Sequence, residues 1–228
     1  MSDASDPSSP SRVLALLDDA AAGAALLELS STLARMVQRE LSVVYVESTP
    51  SLVAAALPFA QVLAPGGGAW QPLRPEDVER GFRAQAARLR EMAARVALRD
   101  AVGWSMRVMR GNLAQAASDL REESDLLLLS AAIRWPTPDL SPRVSRRPVV
   151  HVLDDGSQAG QRAVQIARQL VLALGGVLEL ERGAATGVDS APAHGAGVTP
   201  RCELLVLPYQ RVDVAALVMR RSPLLLVA

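Results

Sequence analysis

The pattern that most constrains this chain occurs twice, 136 residues apart. Residues 13–19 read VLALLDD and residues 149–155 read VVHVLDD, so an apolar run of strand length ends in Asp-Asp at both places. A helical stripe of apolar residues follows each run, and a second short apolar run then starts at Leu41 and at Val177. Two copies of strand, helix and strand predict a duplicated βαβ unit with parallel strands and right-handed crossovers.

Apolar periodicity predicts four strands in each half of the chain. In the first half they lie at 12–17, 41–47, 104–110 and 125–130, with helices at 21–39, 75–99 and 112–123 and a short helix near 52–63. In the second half they lie at 149–153, 177–181, 203–207 and 223–227, with helices at 157–174 and 210–220. This alternation is typical of an α/β fold, an open parallel sheet with helices on both faces.

The two halves are unequal. Residues 12–130 form the first predicted domain, residues 148–228 form the second, and the proline-rich residues 131–147 are a predicted linker. The second half passes from its second strand through a Gly/Ala-rich loop, residues 183–200, almost directly to its last two strands. We therefore expect it to lack one strand and the helices that flank it.

Composition excludes several classes of function. All 24 basic residues are arginine, so there is no lysine for a P-loop, a protein kinase or a Schiff-base enzyme. The formal net charge is zero, which favours neither nucleic acid nor an anionic membrane as a partner. No apolar run approaches the ~20 residues that span a bilayer, and residues 1–11 are polar and acidic, unlike a signal segment. We expect a soluble cytoplasmic protein.

Short motifs in the second half resemble those of a known family. Asp155-Gly156-Ser157 follows the apolar run VVHVLD, and residues 223–228 form a proline-led apolar strand, PLLLVA. Together with the βαβαβαβ order of elements, these motifs resemble the universal stress protein family, here as a degenerate tandem with the adenine nucleotide alpha hydrolase-like fold. The resemblance implies a Rossmann-like sheet with strand order 3-2-1-4-5 and ligands outside the carboxyl ends of strands one and four.

The resemblance also implies a nucleotide site in each half. The corresponding residues are Asp18, Val46, Ser130 and Arg134 in the first half, and Asp155, Gly156 and Ser157 in the second. Asp18 and Asp155 match a strand-one aspartate that lies near the nucleoside in the family, but an aspartate at this position is equally a helix N-cap. ATP-binding members hold phosphates with a glycine-rich loop after strand four, and no glycine occurs at 112–155 or 198–228.

A sheet framework without this loop favours a non-catalytic regulatory or interaction module that uses no cofactor. The alternative is a stress protein that binds ATP, AMP or a small anion through Asp18 together with Arg134 and the arginines that follow it. His151, His194 and Cys202 are too far apart for metal-ligand spacing, and no nucleophile–base pair is visible. A single cysteine also rules out an internal disulfide.

The closing strand, predicted at 223–227, is apolar and carries no charge. Left bare, it would be an edge strand open to aggregation. We therefore expect it to pack on the first half, or on a partner chain in a homodimer or a complex with another protein.

Overall fold

Eight strands form one sheet in the computed structural model, which describes residues 12–63, 68–129, 148–182, 203–209 and 223–228. In chain order the strands are β1 Val13–Leu17, β2 Leu41–Ser48, β5 Trp104–Gly111, β6 Leu126–Leu129, β7 Val149–Asp154, β8 Val177–Arg182, β9 Glu203–Pro208 and β10 Leu224–Val227. Two further strands, β3 Gln61–Leu63 and β4 Trp70–Pro72, form a separate antiparallel ribbon. The described helices are α1 Ala20–Val37, α2 Thr49–Ala55, α3 Pro75–Asp100, α4 Leu113–Asp119 and α5 Gln158–Leu174, with a 3-10 turn at Arg121–Glu123.

All eight strands predicted from apolar periodicity are present, and so are the predicted long helices. α3 begins at Pro75 with Glu76 and Asp77 in its first turn, where carboxylates interact favourably with the helix dipole. Asn112 caps α4, because its side chain accepts a hydrogen bond from the backbone N–H of Gln115 at 2.8 Å. None of the described helices is long and apolar enough to cross a membrane.

The segment after β2 differs from the prediction of a helix near 52–63. α2 starts earlier, because Ser48 caps it and Pro50 occupies its first turn. It ends at Ala55, and the β3–β4 ribbon, which the sequence pattern did not predict, follows. The predicted helix at 210–220, the loop at 183–200 and the linker at 131–147 lie outside the described residues, so the domain boundaries stay predictions.

The order of strands in the sheet is β5-β2-β1-β6-β10-β9-β7-β8. Every neighbouring pair is parallel except β6 and β10, where Leu129 lies opposite Leu224 and Leu126 opposite Val227. The first half thus has the order 3-2-1-4, but the predicted fifth place is taken by the closing strand of the second half, in the opposite direction. This confirms that the closing strand packs on the first half. Because β9 occupies its other side, β10 has no free edge for the predicted contact with a partner chain.

The register of the strands repeats at the same offset as the sequence motif. Val13 lies opposite Leu41 in the β1–β2 pair, and Val149 lies opposite Val177 in the β7–β8 pair. Each residue of the second pair is 136 positions after its counterpart in the first. The two βαβ units therefore have the same internal register, as the repeat requires.

Helices cover both faces of the sheet, because alternate strand residues point to opposite sides. Val13, Ala15 and Leu17 pack with α1, α3 and α5, whereas Leu14 and Leu16 pack on the side of α4. The closing strand contributes to both sides and is completely buried along its length. A strand buried on both faces has an apolar run without polar alternation, which is the pattern in the sequence.

Leu225→Asp and Leu226→Asp are each expected to lower the free energy of unfolding by several kcal/mol. Leu225 packs with the α1, α3 and α5 side, and Leu226 with the α4 side, so each variant places a carboxylate in an apolar interior. Urea unfolding followed by circular dichroism measures the loss. Leu172→Asp, at an α5 position that is 82% exposed, is the matched control and should change stability by less than about 0.5 kcal/mol. An interior variant with the wild-type midpoint would contradict the burial of β10.

Candidate functional site

The predicted site residues lie at two opposite edges of the sheet. The first edge holds the carboxyl ends of β1, β2, β5 and β6. Because β10 is antiparallel to β6, and β7, β8 and β9 are parallel to β10, the carboxyl ends of the second half lie at the second edge. Asp18 is therefore at the first edge, and Asp155, Gly156 and Ser157 are at the second. The structure does not bring the two sets together.

At the first edge, Asp18 and Asp19 directly follow β1. Asp19, not Asp18, is the N-cap of α1, and its Oδ1 accepts from the backbone N–H of Ala21 at 2.9 Å. Asp18 is partly exposed. The side chain of Val46 is buried in the core on the α4 side. Ser130 and Arg134 lie outside the described residues.

Tyr45 is a first-edge residue that the sequence patterns did not single out. Its ring is fully buried and meets the ring of Phe82 edge to face, with centroids 6.5 Å apart. Its hydroxyl has no hydrogen-bond partner among the described residues. Burial raises the pKa of Tyr45 to about 12, and the nearby carboxylates of Glu47, Asp19 and Asp18 add to the rise.

An ion-pair network ties the end of β2 to β5 and α3. Nε of Arg110 lies 3.0 Å from Glu47, and an Nη of the same guanidinium lies 3.3 Å from Glu79. The hydrogen bond to Glu47 and the nearby carboxylates raise the pKa of Arg110. The guanidinium of Arg110 thus forms ion pairs with two carboxylates of its own chain.

At the second edge, the residues after β7 form a capping turn. The hydroxyl oxygen of Ser157 accepts from the backbone N–H of Gly160 at 3.0 Å, so Ser157 is the N-cap of α5. Asp155 accepts from the backbone N–H of Ser157 at 3.0 Å and from its hydroxyl. Asp154 accepts from the backbone N–H of Gly156, which has a φ of 78°. Asp155 is therefore not the N-cap of α5, which was one of its two predicted roles. Ser157 is the cap, and Asp155 positions Ser157 by accepting its hydrogen bonds.

Gly160 shows how tightly this turn packs against α5. A Cβ added at Gly160 would collide with Oδ1 of Asp155 and lie 3.1 Å from its backbone nitrogen. The first turn of α5 can therefore approach the Asp155 loop only because residue 160 is glycine. The geometry favours a structural role for Asp155, Gly156 and Ser157.

Tyr209 occupies the position that follows β9, the strand-four equivalent of the second half. It is almost fully buried, and its hydroxyl donates to the carbonyl of Ala117 at 2.6 Å. The guanidinium of Arg121 lies 4.7 Å from the centroid of its ring. Burial raises the pKa of Tyr209. This side chain joins the second half to α4 of the first.

A pocket of about 150 Å³ opens at the second edge, between the amino ends of β1 and β6, the end of α1 and the side of α5. Its charged and polar lining consists of Arg12, Arg39, Asp125, Arg162, Gln165 and Gln169, over an apolar floor. Arg162 lies 3.4 Å from Asp125, while Arg12 and Arg39 form no ion pair within the described ranges. Arg12 and Arg39 come together within the first half, where the backbone N–H of Val13 donates to the carbonyl of Glu40. The packing of the two halves adds Arg162.

His151 lies on β7 directly opposite Glu179 on β8, and its Nδ1 is 3.0 Å from a carboxylate oxygen of that residue. This cross-strand contact places the partly buried imidazole of His151 beside an acidic side chain. Across the ranges that the structure describes, no three His, Cys, Asp or Glu side chains come together in a metal-binding group.

No model of a protein family matches the sequence, and no curated protein matches it either. Among the solved structures that are similar to it are two universal stress proteins. One is a protein of the universal stress protein family from Burkholderia pseudomallei, with 16% identity over 77% of this chain and 98% of that chain, at a TM-score of 0.35. The other is a universal stress protein from Archaeoglobus fulgidus, with 12% identity over 93% and 95%, at a TM-score of 0.41. At these TM-scores the likeness carries no conclusion about what this chain binds.

Tyr45→Phe should reduce the sensitivity of the fold to high pH. The phenol titrates near pH 10 in the unfolded chain and at about 12 in the folded one. Between these values the unfolded chain loses the proton first, so stability that is intact below about pH 10 falls as the pH rises. Urea unfolding from pH 8 to 11 should show a shallower decline for the variant. An equal decline in both proteins would contradict the environment of Tyr45.

The same variant should be more stable than wild type at pH 7, by about 1 kcal/mol, because it removes a buried hydroxyl without a described partner. Tyr209→Phe is the matched control with the opposite sign. It removes a hydroxyl that donates to Ala117 and should cost about 1 kcal/mol.

Proposed function

We propose that this chain is a non-catalytic, universal-stress-like protein that acts by association, as a regulatory or interaction module in the cytoplasm. The observation that carries the proposal is the packing of Tyr209. In ATP-binding members of the family that the sequence resembles, a glycine-rich phosphate loop follows strand four. Here a bulky side chain follows β9, hydrogen-bonded to Ala117 and stacked with Arg121. The side chain at this point therefore joins the second half to the first.

Two further features support the same proposal. The Asp-Gly-Ser motif of the second half caps α5. The side chains of Asp155 and Ser157 are engaged in the hydrogen bonds of this cap. At the first edge, the guanidinium of Arg110 is paired with Glu47 and Glu79. It would have to give up these ion pairs to bind a phosphate.

ATP at millimolar concentration, with or without magnesium, should leave the melting temperature unchanged. A ligand present at 100 times its dissociation constant would stabilise the fold by about 2.7 kcal/mol, which corresponds to several degrees for a chain of this size. A thermal-shift titration with ATP and AMP makes the measurement. A shift of several degrees that disappears in Asp18→Ala would overturn the proposal and establish a nucleotide site at the first edge.

A second candidate function is the binding of a small anion, and the pocket at the second edge favours it. The charged residues that line this pocket are three arginines and one aspartate, Asp125. Arg162 already forms an ion pair with that aspartate. The volume suits a phosphate-sized group and is far below the ~300 Å³ or more of pockets for larger ligands. Arg12 and Arg39 would supply the unpaired positive charge.

This candidate predicts that 10 mM phosphate raises the melting temperature by a few degrees relative to chloride at equal ionic strength, if the dissociation constant is about 1 mM. Arg39→Gln should abolish the shift, because Arg39 lines the pocket. Arg168→Gln, at an exposed position of α5 outside the lining, should keep it. Equal shifts in the two variants would assign the effect to general screening.

A further inference from the structure

The chain between β2 and α3 carries no charge, because residues 49–73 contain no Asp, Glu, Arg, Lys or His. Its described residues, 49–63 and 68–73, comprise α2, the β3–β4 ribbon and the chain around them, and are called the apolar arm. α2 contacts α3 and β5, and buries Ala55. All residues of the ribbon are exposed. The apolar arm is therefore fixed to the fold at α2, and its ribbon has no covering layer within the described chain.

The apolar arm concentrates exposed hydrophobic side chains. Of the twelve large apolar residues that are exposed in the described part of the chain, six lie in it: Val53, Leu57, Phe59, Val62, Leu63 and Trp70. Phe59 is 75% exposed and Trp70 is 65% exposed. Single exposed apolar residues are ordinary, but a cluster of this size on a soluble fold marks an interaction surface.

The exposed apolar area is a substantial part of what a dimer needs. A phenylalanine or tryptophan side chain buries about 150–250 Å² when covered, so Phe59 and Trp70 each offer about 100–150 Å² at their observed exposure. Together with Leu63, which shares the Trp70 face of the ribbon, they offer on the order of 300 Å², against the ~800 Å² that each partner contributes to an interface of standard size. Pairing of backbone edges would have to supply further contacts.

The absence of charge indicates which partner fits. About a two-fold axis, each residue near the axis meets its own counterpart, so a charged residue there would face a like charge. The apolar arm carries no charge, so two copies can meet without that repulsion. A partner recognised through charge complementarity would find nothing to pair with in this segment.

The ribbon also favours a second copy. A two-stranded ribbon is marginal in water and gains stability from further strands or a covering layer. β4 ends in Pro72, which has no N–H to donate, whereas all three residues of β3 retain theirs. The edge of β3 is therefore the one suited to pair with the same strand of another chain.

We propose that the apolar arm is the interface of a homodimer, in which Phe59, Leu63 and Trp70 of two chains pack together and the β3 edges meet at the two-fold axis. Leu63 lies opposite Trp70 in the ribbon, so these two side chains share one face. This inference rests on the proposed function, which is association with another protein molecule. It specifies that this molecule is a second copy of the chain. The closing strand was predicted to mediate self-association, but it is enclosed between β6 and β9. The apolar arm takes its place as the proposed interface.

The test is the molar mass of the full chain by light scattering after gel filtration, over a range from 1 to 100 μM. Wild type should reach twice the 24.1 kDa of one chain. Phe59→Asp places a charge in the apolar interface and should raise the dissociation constant at least about tenfold, so that dissociation on dilution begins at a concentration about tenfold higher than for wild type. Leu172→Asp, which introduces the same charge at an exposed apolar residue on α5, should remain dimeric.

Wild type that stays monomeric at 100 μM, or a dimer that persists in both Phe59→Asp and Trp70→Ser, would overturn the inference. Co-sedimentation of a monomeric wild type with uncharged phosphatidylcholine vesicles, lost in Phe59→Asp, would overturn it in favour of a lipid surface. Failure here is separate from failure of the proposed function. An ATP-dependent thermal shift in an intact dimer would contradict only the proposed function, and a monomer without such a shift would contradict only the interface.

Discussion

The antiparallel pairing of β6 with β10 fixes the direction of every strand in the second half. Leu126–Leu129 and Leu224–Val227 are almost completely excluded from solvent, so the joint is an apolar ladder inside the sheet. Since β9, β7 and β8 follow the direction of β10, the second half is inverted relative to the first. The two Asp-Asp turns, which are equivalent in the sequence, consequently lie at opposite edges of one sheet.

The same joint determines which surfaces remain for other molecules. The closing strand has a neighbour on each side, so the chain satisfies internally the pairing that a bare apolar strand would seek elsewhere. Tyr209 reinforces the joint on the α4 side, and Arg162 reaches across it to Asp125 at the second edge. Self-association must then use other surfaces, and the apolar arm holds six of the twelve large hydrophobic residues that are exposed in the described part of the chain.

The polar groups at the strand ends are mostly held by one another. Ser157 caps α5 while Asp155 holds Ser157, and Arg110 joins Glu47 to Glu79. Groups that a phosphate or nucleoside would need are thereby engaged in local structure, and ligand binding would have to displace these hydrogen bonds. The arginine pocket is the exception, because Arg12 and Arg39 line it without an ion pair in the described residues.

The sequence by itself determined the local elements. Apolar runs, Pro75 and Asn112 predicted strands and helix starts correctly, because burial pattern and capping depend on neighbours a few residues away. It also determined the 136-residue offset that the strand register repeats. For the candidate site, the sequence predicted that Asp18 and Asp155 follow the first strand of each half. It did not predict that Asp19 and Ser157 are the caps, since several polar residues in each turn could serve.

Only the tertiary structure decided how the halves are joined. The closing strand reads Leu-Leu-Leu-Val and is buried on both faces, so its pattern is the same in either direction and carries no information on whether it pairs parallel or antiparallel. The buried hydroxyl of Tyr45 and the cluster of Arg12, Arg39 and Arg162 were equally beyond the sequence. They depend on contacts between residues far apart in the chain, which form only when long-range packing has chosen one arrangement of the strands.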